Sequence, residues 1–420
     1  MAQLSNDCFA FGGELMRADA ALAVLAARVG PVASVATAPL TAASGRILAH
    51  DIVASRDVPP HDNAAVDGYA VHFDDLDAAG ATRLPVVARV AAGEYLGRAI
   101  QRGTTVRIFT GAPMPEGPDT VFMQEDARVA GDHVILPPGI RRGANRRKAG
   151  EDVKAGSTIL HRGCKLRPQD LGLAASIGLT ELPVFGALKV AIFSTGDELR
   201  EPGQQTPPGA VFDANRYVLM ALLGELGCSV SDYGILADRR DVVTAALANA
   251  AASADAIITS GGMSTGDEDH VRAAVEALGS IHFWRLAIRP GRPVALGQVK
   301  GVAFVGLPGN PVAMMVTFLR FARPVLLRLA GAAPEAIEPH LFRVRSAFEM
   351  KKKLGRREWV RARLRPGEDG VAVATRFPRD GAGILTSLVE SDGLVELPED
   401  VTQVFAGGMV DFLPFSEVAR

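Results

Sequence analysis

From Leu188 onward, short β-branched apolar runs alternate with helical stretches, and no other feature limits the possible folds as strongly. Strands are expected at Leu188–Phe193, Ser229–Leu236 and Ala256–Ser260, each followed by a helix, at Tyr217–Leu226, Asp241–Ala252 and Asp269–Leu278. Shorter strands at Ile281–Leu286, Val294–Gly297 and Val302–Gly306 precede a helix at Val312–Leu329. Such alternation implies a parallel sheet with right-handed crossovers and helices on both faces. In such a sheet, ligands bind outside the carboxyl ends of the strands.

One of those ends is unusual. The run Ile257-Ile258-Thr259-Ser260-Gly261-Gly262-Met263-Ser264-Thr265-Gly266-Asp267-Glu268-Asp269-His270 passes from buried strand to glycines and hydroxyls, then to acids opening a helix. Glycines let backbone N–H groups turn toward an anion, and a helix N-terminus adds positive potential. Acids at the same rim fit an anion only with a cation between them, so the segment reads as a phosphate-plus-metal site. Three other loops converge there: Ser194–Glu198, Ala237-Asp238, and Gly306-Leu307-Pro308-Gly309-Asn310-Pro311. Glu198, Asp238 and Asp269 would then face one crevice, a set suited to Mg²⁺, which prefers oxygen ligands. Taken singly, Asp238 and Asp269 read as helix caps. Taken together with the glycine loop, they read as a site.

A second constellation is Arg285-Leu-Ala-Ile-Arg289-Pro-Gly-Arg292-Pro293. Guanidinium groups stay charged and present forked donors to tetrahedral oxyanions, and the Pro-Gly turn would hold Arg289 and Arg292 in place. Solvated edge-strand charge is the plainer alternative.

The 420 residues require two to four domains. An apolar share of 48% and a net charge of −2 describe an ordinary globular chain and give no support to a nucleic-acid or membrane-surface binder. No apolar run is long enough to cross a bilayer, and the N-terminus lacks a signal pattern. Cys8, Cys164 and Cys228 are too few and too scattered for a disulfide framework or zinc cluster, and suit a reducing cytosol. The eight histidines show no metal-ligand spacing; His270 alone adjoins a candidate acid. Neither G-x-x-x-x-G-K-[ST] nor G-x-G-x-x-G opening a helix occurs, which disfavours P-loop phosphoryl transfer and dinucleotide redox chemistry.

Ahead of the α/β region, a helix is expected over Leu15–Ala27 and a β-rich module from Pro59 to Gly150, closed by the basic run Arg141–Lys148. Helical character returns at Leu166–Leu179. The module thus reads as an insertion within an elongated N-terminal piece. Residues Ala332–Pro339 read as a linker, and the last eighty or so as all-β with period two from Trp359. The expected architecture is multidomain α/β plus β. Its domains are residues 1–55 with 151–186, an inserted β-rich domain at 56–150, a three-layer doubly wound domain at 187–335, and a C-terminal β-barrel-like domain at 336–420.

Several motifs occur in one order along the chain: Asp62-Asn-Ala-Ala-Val-Asp67-Gly68-Tyr69-Ala70, Phe109-Thr110-Gly-Ala-Pro, Gly150-Glu151-Asp152, and Phe193-Ser-Thr-Gly-Asp197-Glu198. Asp213-Ala-Asn215-Arg216, the Ser260–Asp269 loop, Pro290-Gly-Arg-Pro293 and Gly306–Pro311 follow. In this set the chain resembles the molybdopterin molybdenumtransferases, the family that includes the C-terminal domain of gephyrin. The resemblance implies a four-domain subunit paired as a homodimer with a shared cleft. It also implies Mg²⁺-dependent insertion of molybdate into adenylylated molybdopterin, with release of AMP. It places Asp67, Asp152, Glu198, Asp238 and Asp269 in the active cleft as the catalytic acids, with Glu198, Asp238 and Asp269 on the metal. Thr110, Ser260, Gly261, Gly262, Ser264, Asp267, Pro308, Gly309, Asn310 and Pro311 would hold the adenylate and pterin. Arg285, Arg289, Arg292, Pro293 and Arg361 would hold molybdate.

The chain departs from the family in carrying arginines where many members have lysines around the Pro-Gly turn. It also has Ala313 and Ala382 where serine is frequent. A molybdopterin adenylyltransferase, which would be a different enzyme or a partner of this one, is the nearest rival reading; a receptor scaffold is another. Tungstate and molybdate are too alike for these residues to separate.

Overall fold

The computed structural model describes residues 15–262, 270–291 and 293–419, with backbone alone at 282–285 and 293. The chain forms two compact units. One comprises residues 51–161 and 168–180, and the other comprises the chain up to 50, 162–167 and 181 onward.

The smaller unit is built on a six-stranded sheet in the order Thr120–Met123, Gly68–Val71, Thr105–Ile108, Thr82–Val90, His133–Leu136, Arg128–Ala130. Side chains alternate across it as a strand requires. Tyr69 and Val71 pack with Phe122, Val134 and Leu136, while Ala70 packs with Val106, Ile108 and Val121 on the other face. Gly68 is dictated by pairing, since a Cβ there would lie 1.6 Å from the Phe122 carbonyl oxygen. The helix of this unit runs Pro168–Ser176, with proline at its first turn where no N–H is needed.

In the larger unit a six-stranded sheet has the order Ser229–Leu236, Lys189–Thr195, Ala256–Ser260, Val302–Leu307, Pro293–Val299, Gly279–Arg285. Val190, Ile192, Ile258 and Val305 face the helices Asn215–Glu225 and Pro311–Thr317. Ala191, Phe193, Ile257 and Phe304 face the helices Arg240–Ser253 and His270–Leu278. This is the three-layer arrangement expected from the alternation, with one correction. The first four strands are parallel, but Gly279–Arg285 and Pro293–Val299 join antiparallel. The connections explain it. Lys300 and Gly301 both have positive φ (49° and 85°), forming a two-residue hairpin that can only reverse the chain.

The helix expected over 312–329 is also interrupted. An α-helix at Pro311–Thr317 passes through a wide π turn at Phe318–Ala322 into a second α-helix, Arg323–Leu329. Pro324 has no N–H to return to the preceding turn, and the extra residue of the π turn accommodates that loss.

Five C-terminal strands close into a ring: Arg357–Arg365, Val373–Arg376, Phe342–Ser346, Met409–Pro414, Gly393–Leu397 and back to the first. Val344, Ala362, Ala374, Val395, Val410 and Phe412 fill it, and closure leaves no free edge within the ring. The period-two reading of the strand from Trp359 is incomplete, because Glu358, Trp359, Arg361 and Ala362 are all buried. The reason is that both faces are covered: Ala362 enters the barrel core, while Trp359 stands edge-on to Phe321 of the π turn. Residues 332–339 are not a free linker either. They contain a one-turn helix, Pro334–Ile337, whose Ile337 is buried. The N-terminal helix, Ala18–Arg28, packs Ala18, Ala21 and Leu25 into the large core. Among the described residues, no helix is long and apolar enough to cross a membrane.

Candidate active site

Parallel register brings four strand ends level. Ser194 pairs with Ser260, Ser260 with Leu307, and Thr195 with Leu236. The glycine loop leaves there under tight constraint. Gly262 has φ +63°, and a Cβ on it would meet Thr195 Cγ2 at 2.5 Å and Val271 Cγ2 at 2.7 Å. Gly261 donates its N–H to the Leu307 carbonyl at 3.2 Å, tying this loop to Pro308–Asn310. Ser194 Oγ, Thr259 Oγ1 and Asn215 Oδ1 are buried here with no partner among the described residues. Orphaned polar atoms at a strand terminus are what a ligand site leaves behind.

The Thr195 hydroxyl lies 3.3 Å from Asp238 Oδ1. Asp238 does not cap the next helix, whose N-cap is Arg239 with no side-chain cap bond, so the cap alternative fails for this residue. Glu198 is exposed, and its carboxylate folds over Gly196, where a Cβ would lie 2.7 Å from Oε2. Met263, Ser264, Asp267, Asp269 and Arg292 lie outside the described residues, as do the side chains of Arg285 and Pro293. His270 begins the helix that follows the loop.

Asn215, quoted in the sequence only as part of a motif, is the clasp of this site. Its Nδ2 donates to Ser260 Oγ at 2.8 Å and to the Gly309 carbonyl at 2.7 Å. Ser260 Oγ in turn donates to the Pro308 carbonyl at 3.4 Å. The neighbouring Arg216 anchors the clasp. Its N–H and Nε donate to Asp213 at 3.2 and 3.1 Å, and its Nη groups bond Asp232 and Glu201. An acid three residues before an arginine at a helix start was the available signal for this anchor.

Arg289 and Arg361 line a cleft of about 310 Å³ with Arg356, Arg376, Glu358 and Asp380. Four guanidinium groups face two carboxylates, so the cleft carries net positive charge. The two-residue strand Ile288–Arg289 enters it by pairing in parallel with Arg357-Glu358 of the barrel. Arg289 lies 3.6 Å from Glu358 Oε2 and 3.7 Å from Asp380 Oδ2. Glu358 also accepts from Arg356 Nε at 3.0 Å, and Asp380 from Arg376 at 2.9 Å. Arg361, 8% exposed, donates to the carbonyls of Gly381 (3.0 Å) and Arg379 (3.1 Å), while its Nε has no partner among the described residues. Burial draws its pKa below the usual value, helped by Arg376 and Arg289 and opposed by Asp380. Sequence reasoning missed Arg356, Arg376, Glu358 and Asp380; the only signal was the arginine density around Trp359.

The helix Pro311–Thr317 joins the glycine loops to this cleft. Asn310 is its N-cap residue, its Val312 N–H donates to Ala382 at the cleft wall (2.9 Å), and its flank receives Gly291. Gly291 has φ +88°, and a Cβ there would lie 2.6 Å from Thr317 Cγ2 and 3.2 Å from the Ala313 carbonyl. Ala313 is therefore the floor on which the Pro-Gly turn rests.

In the smaller unit, Asp67 Oδ1 accepts from the Thr110 N–H at 2.8 Å and from its hydroxyl at 2.7 Å. These two bonds hold the Asp67 carboxyl below the usual carboxylate range, with help from Arg107. Burial opposes ionisation of Asp62, yet the Ala149 N–H, Arg146 and Lys148 together hold its pKa low as well. Asp152 is exposed, and its N–H donates to the Val58 carbonyl at 3.0 Å.

Carboxylates beside a glycine loop are the right donors for Mg²⁺. Among the described residues, however, no three acids, histidines or cysteines converge on one cation position. Among the described residues, Glu198 and Asp238 alone do not make a complete metal site.

Residues 16–178 match the family described as the MoeA N-terminal region (domain I and II), 191–328 a probable molybdopterin binding domain, and 343–415 the MoeA C-terminal region (domain IV). The chain is 37% identical to the molybdopterin molybdenumtransferase of Haemophilus influenzae over 90% of this chain and 93% of that one. It is equally identical to molybdopterin molybdenumtransferase 2 of Mycobacterium tuberculosis over 88% and 93%. The crystal structure of the molybdopterin biosynthesis MoeA protein of Pyrococcus horikoshii OT3 superposes with a TM-score of 0.81 at 29% identity, covering 96% of this chain and all of that one. With this extent of likeness, over a sheet-end loop and an arginine cleft joined by one helix, the chain belongs to the molybdopterin molybdenumtransferase (MoeA) family.

Proposed function

We propose that the chain is a molybdopterin molybdenumtransferase, a transferase of molybdenum cofactor synthesis that places molybdate in the dithiolate of adenylylated molybdopterin and releases AMP. The observation that carries this reading is the helix Pro311–Thr317, which abuts the glycine loops at its start and supports the arginine cleft at its side. One element thus registers two anion sites against each other.

In this reading Thr110, Ser260–Gly262, Ser264, Asp267 and Pro308–Pro311 are the residues for the adenylate and pterin phosphate. The molybdate dianion lies among Arg285, Arg289, Arg292, Pro293 and Arg361. The protein contributes position and electrostatics rather than a strong acid or base. Guanidinium forks neutralise and orient the oxyanion, backbone N–H groups receive the phosphate, and Asp67, Asp152, Glu198, Asp238 and Asp269 serve as the catalytic acids. Mg²⁺, held by Glu198, Asp238 and Asp269, would screen these acids from the phosphate. The domain limits expected from the sequence, a homodimer sharing the cleft, a molybdopterin adenylyltransferase as supplier, and a cytoplasmic setting belong to the same proposal.

The test is oxyanion-dependent AMP release from purified adenylylated molybdopterin, with molybdate and tungstate compared and Mg²⁺ withdrawn by chelation. Release that requires the oxyanion supports the reading. Pyrophosphate release from molybdopterin and Mg-ATP, without oxyanion-dependent AMP release, would replace it with adenylyl transfer.

A further inference from the structure

A second cavity, of about 100 Å³, shares no lining residue with the arginine cleft. Three arginines line it, Arg320, Arg323 and Arg328, among apolar walls that include Leu22 and Ile337. Arg323 is 8% exposed, and its Nη1 donates to the Ile337 carbonyl at 2.7 Å. Its Nε is buried without an acceptor, and it forms no ion pair among the described residues. Burial and the neighbouring Arg320 draw its pKa down to about 10, with Glu417 opposing.

Arg320 is just as buried. Its Nη2 lies 3.4 Å from Glu396, its guanidinium lies over the Trp359 ring at 5.8 Å, and its Nε too has no acceptor among the described residues. Glu396 is already shared with Arg357 and the Trp359 indole N–H, so it does not neutralise the group by itself. Arg328 forms no ion pair among the described residues, and Lys165 adds a further positive charge close enough to feel Arg323. The lining acid, Glu338, is exposed.

A buried guanidinium with no ion pair among the described residues, as at Arg323, is strongly unfavourable, and a bound anion would relieve it. The residues concerned sit on and just after the π turn, a feature that recurs at functional sites. The space holds about three waters at ~30 Å³ each, the bulk of a tetrahedral oxyanion and far less than a nucleoside. We propose that this cavity binds a free inorganic oxyanion of the phosphate or sulfate class between Arg320, Arg323 and Arg328.

Calorimetric titration of the full chain with inorganic phosphate, at ionic strength held constant with chloride, tests it. An Arg289→Ala background weakens the cleft as a competing site. One saturable site is expected, and adding Arg328→Gln should weaken it about tenfold or more, the worth of a charge-assisted hydrogen bond. Arg323→Gln should do the same. If that buried change prevents folding, Arg328→Gln, at a half-buried position, decides. Absence of saturable binding in the Arg289→Ala chain, or an affinity unchanged by Arg328→Gln, overturns the proposal. Glycerol phosphate binding as tightly as phosphate, with the same loss in Arg328→Gln, overturns the assignment to a free anion.

Discussion

Asn215 Nδ2 donates to Ser260 Oγ at 2.8 Å, and the same group reaches the Gly309 carbonyl at 2.7 Å, so one amide fixes the ends of two neighbouring strands. Both loops proposed to hold the adenylate hang from this contact. Asn215→Ala leaves a buried hydroxyl and a carbonyl without their donor, at a cost of about 1–3 kcal/mol. The expected result is a lower thermal midpoint together with a raised KM for adenylylated molybdopterin. Unfolding curves and AMP-release kinetics on the same preparation read both.

Gly291 rests on Ala313 and Thr317 in a left-handed conformation. Gly291→Ala should cost about 1–3 kcal/mol in backbone strain and displaced contacts. Because the shift moves Arg289, the oxyanion concentration needed for half-maximal AMP release should rise. The apparent affinity for the pterin substrate should change less.

Arg289 and Arg361 differ in what else they do. Arg289 is half exposed and loosely paired, so Arg289→Ala should change stability by less than about 1 kcal/mol. Its loss should still raise the molybdate requirement by about tenfold or more, since a forked charge-assisted contact is removed. Arg361 carries the Gly381 and Arg379 carbonyls and is buried, so Arg361→Ala should lower both stability and molybdate affinity. Denaturant melts beside molybdate titrations separate the two behaviours.

Thr110 holds the Asp67 carboxyl below its ordinary range. A carboxyl depressed in the folded state supports folding above its ordinary pKa, and that support fades as pH falls through the depressed value. Asp67 therefore stays ionised throughout the neutral range and below it. In Thr110→Ala the carboxyl should titrate nearer its ordinary value, seen by carboxyl-resolved NMR, and AMP release should fall at neutral pH because the still-ionised carboxylate loses the hydroxyl bond that positions it.

Burial alone pushes the Cys228 thiol up to about 12. Cys228 should resist alkylation at pH 8 in the native protein and react once the chain is unfolded, which mass spectrometry after timed labelling checks.

Much of this protein is legible along the chain. The apolar runs that build the parallel strands are local, and so are the glycines and acids of the 260–269 loop, so fold class, strand ends and glycine loop follow from pattern alone. The hairpin at Lys300-Gly301 is equally local, but short apolar strands look alike in sequence whether they pair parallel or antiparallel.

What the chain order does not carry is which charges share a space. Arg356, Arg376, Glu358 and Asp380 sit on barrel segments 67 or more positions beyond Arg289, and only closure of the barrel against the Ile288–Arg289 strand brings them to it. Asn215 reads in sequence as one more polar residue at a helix start, and becomes a clasp only when register levels Ser260 with Leu307. Residue type and spacing determine which segments can bind anions, because backbone conformation and hydrophobic period act over a few residues. Burial and pairing of charge act across the fold, so the tertiary structure alone decides which of those segments face one another.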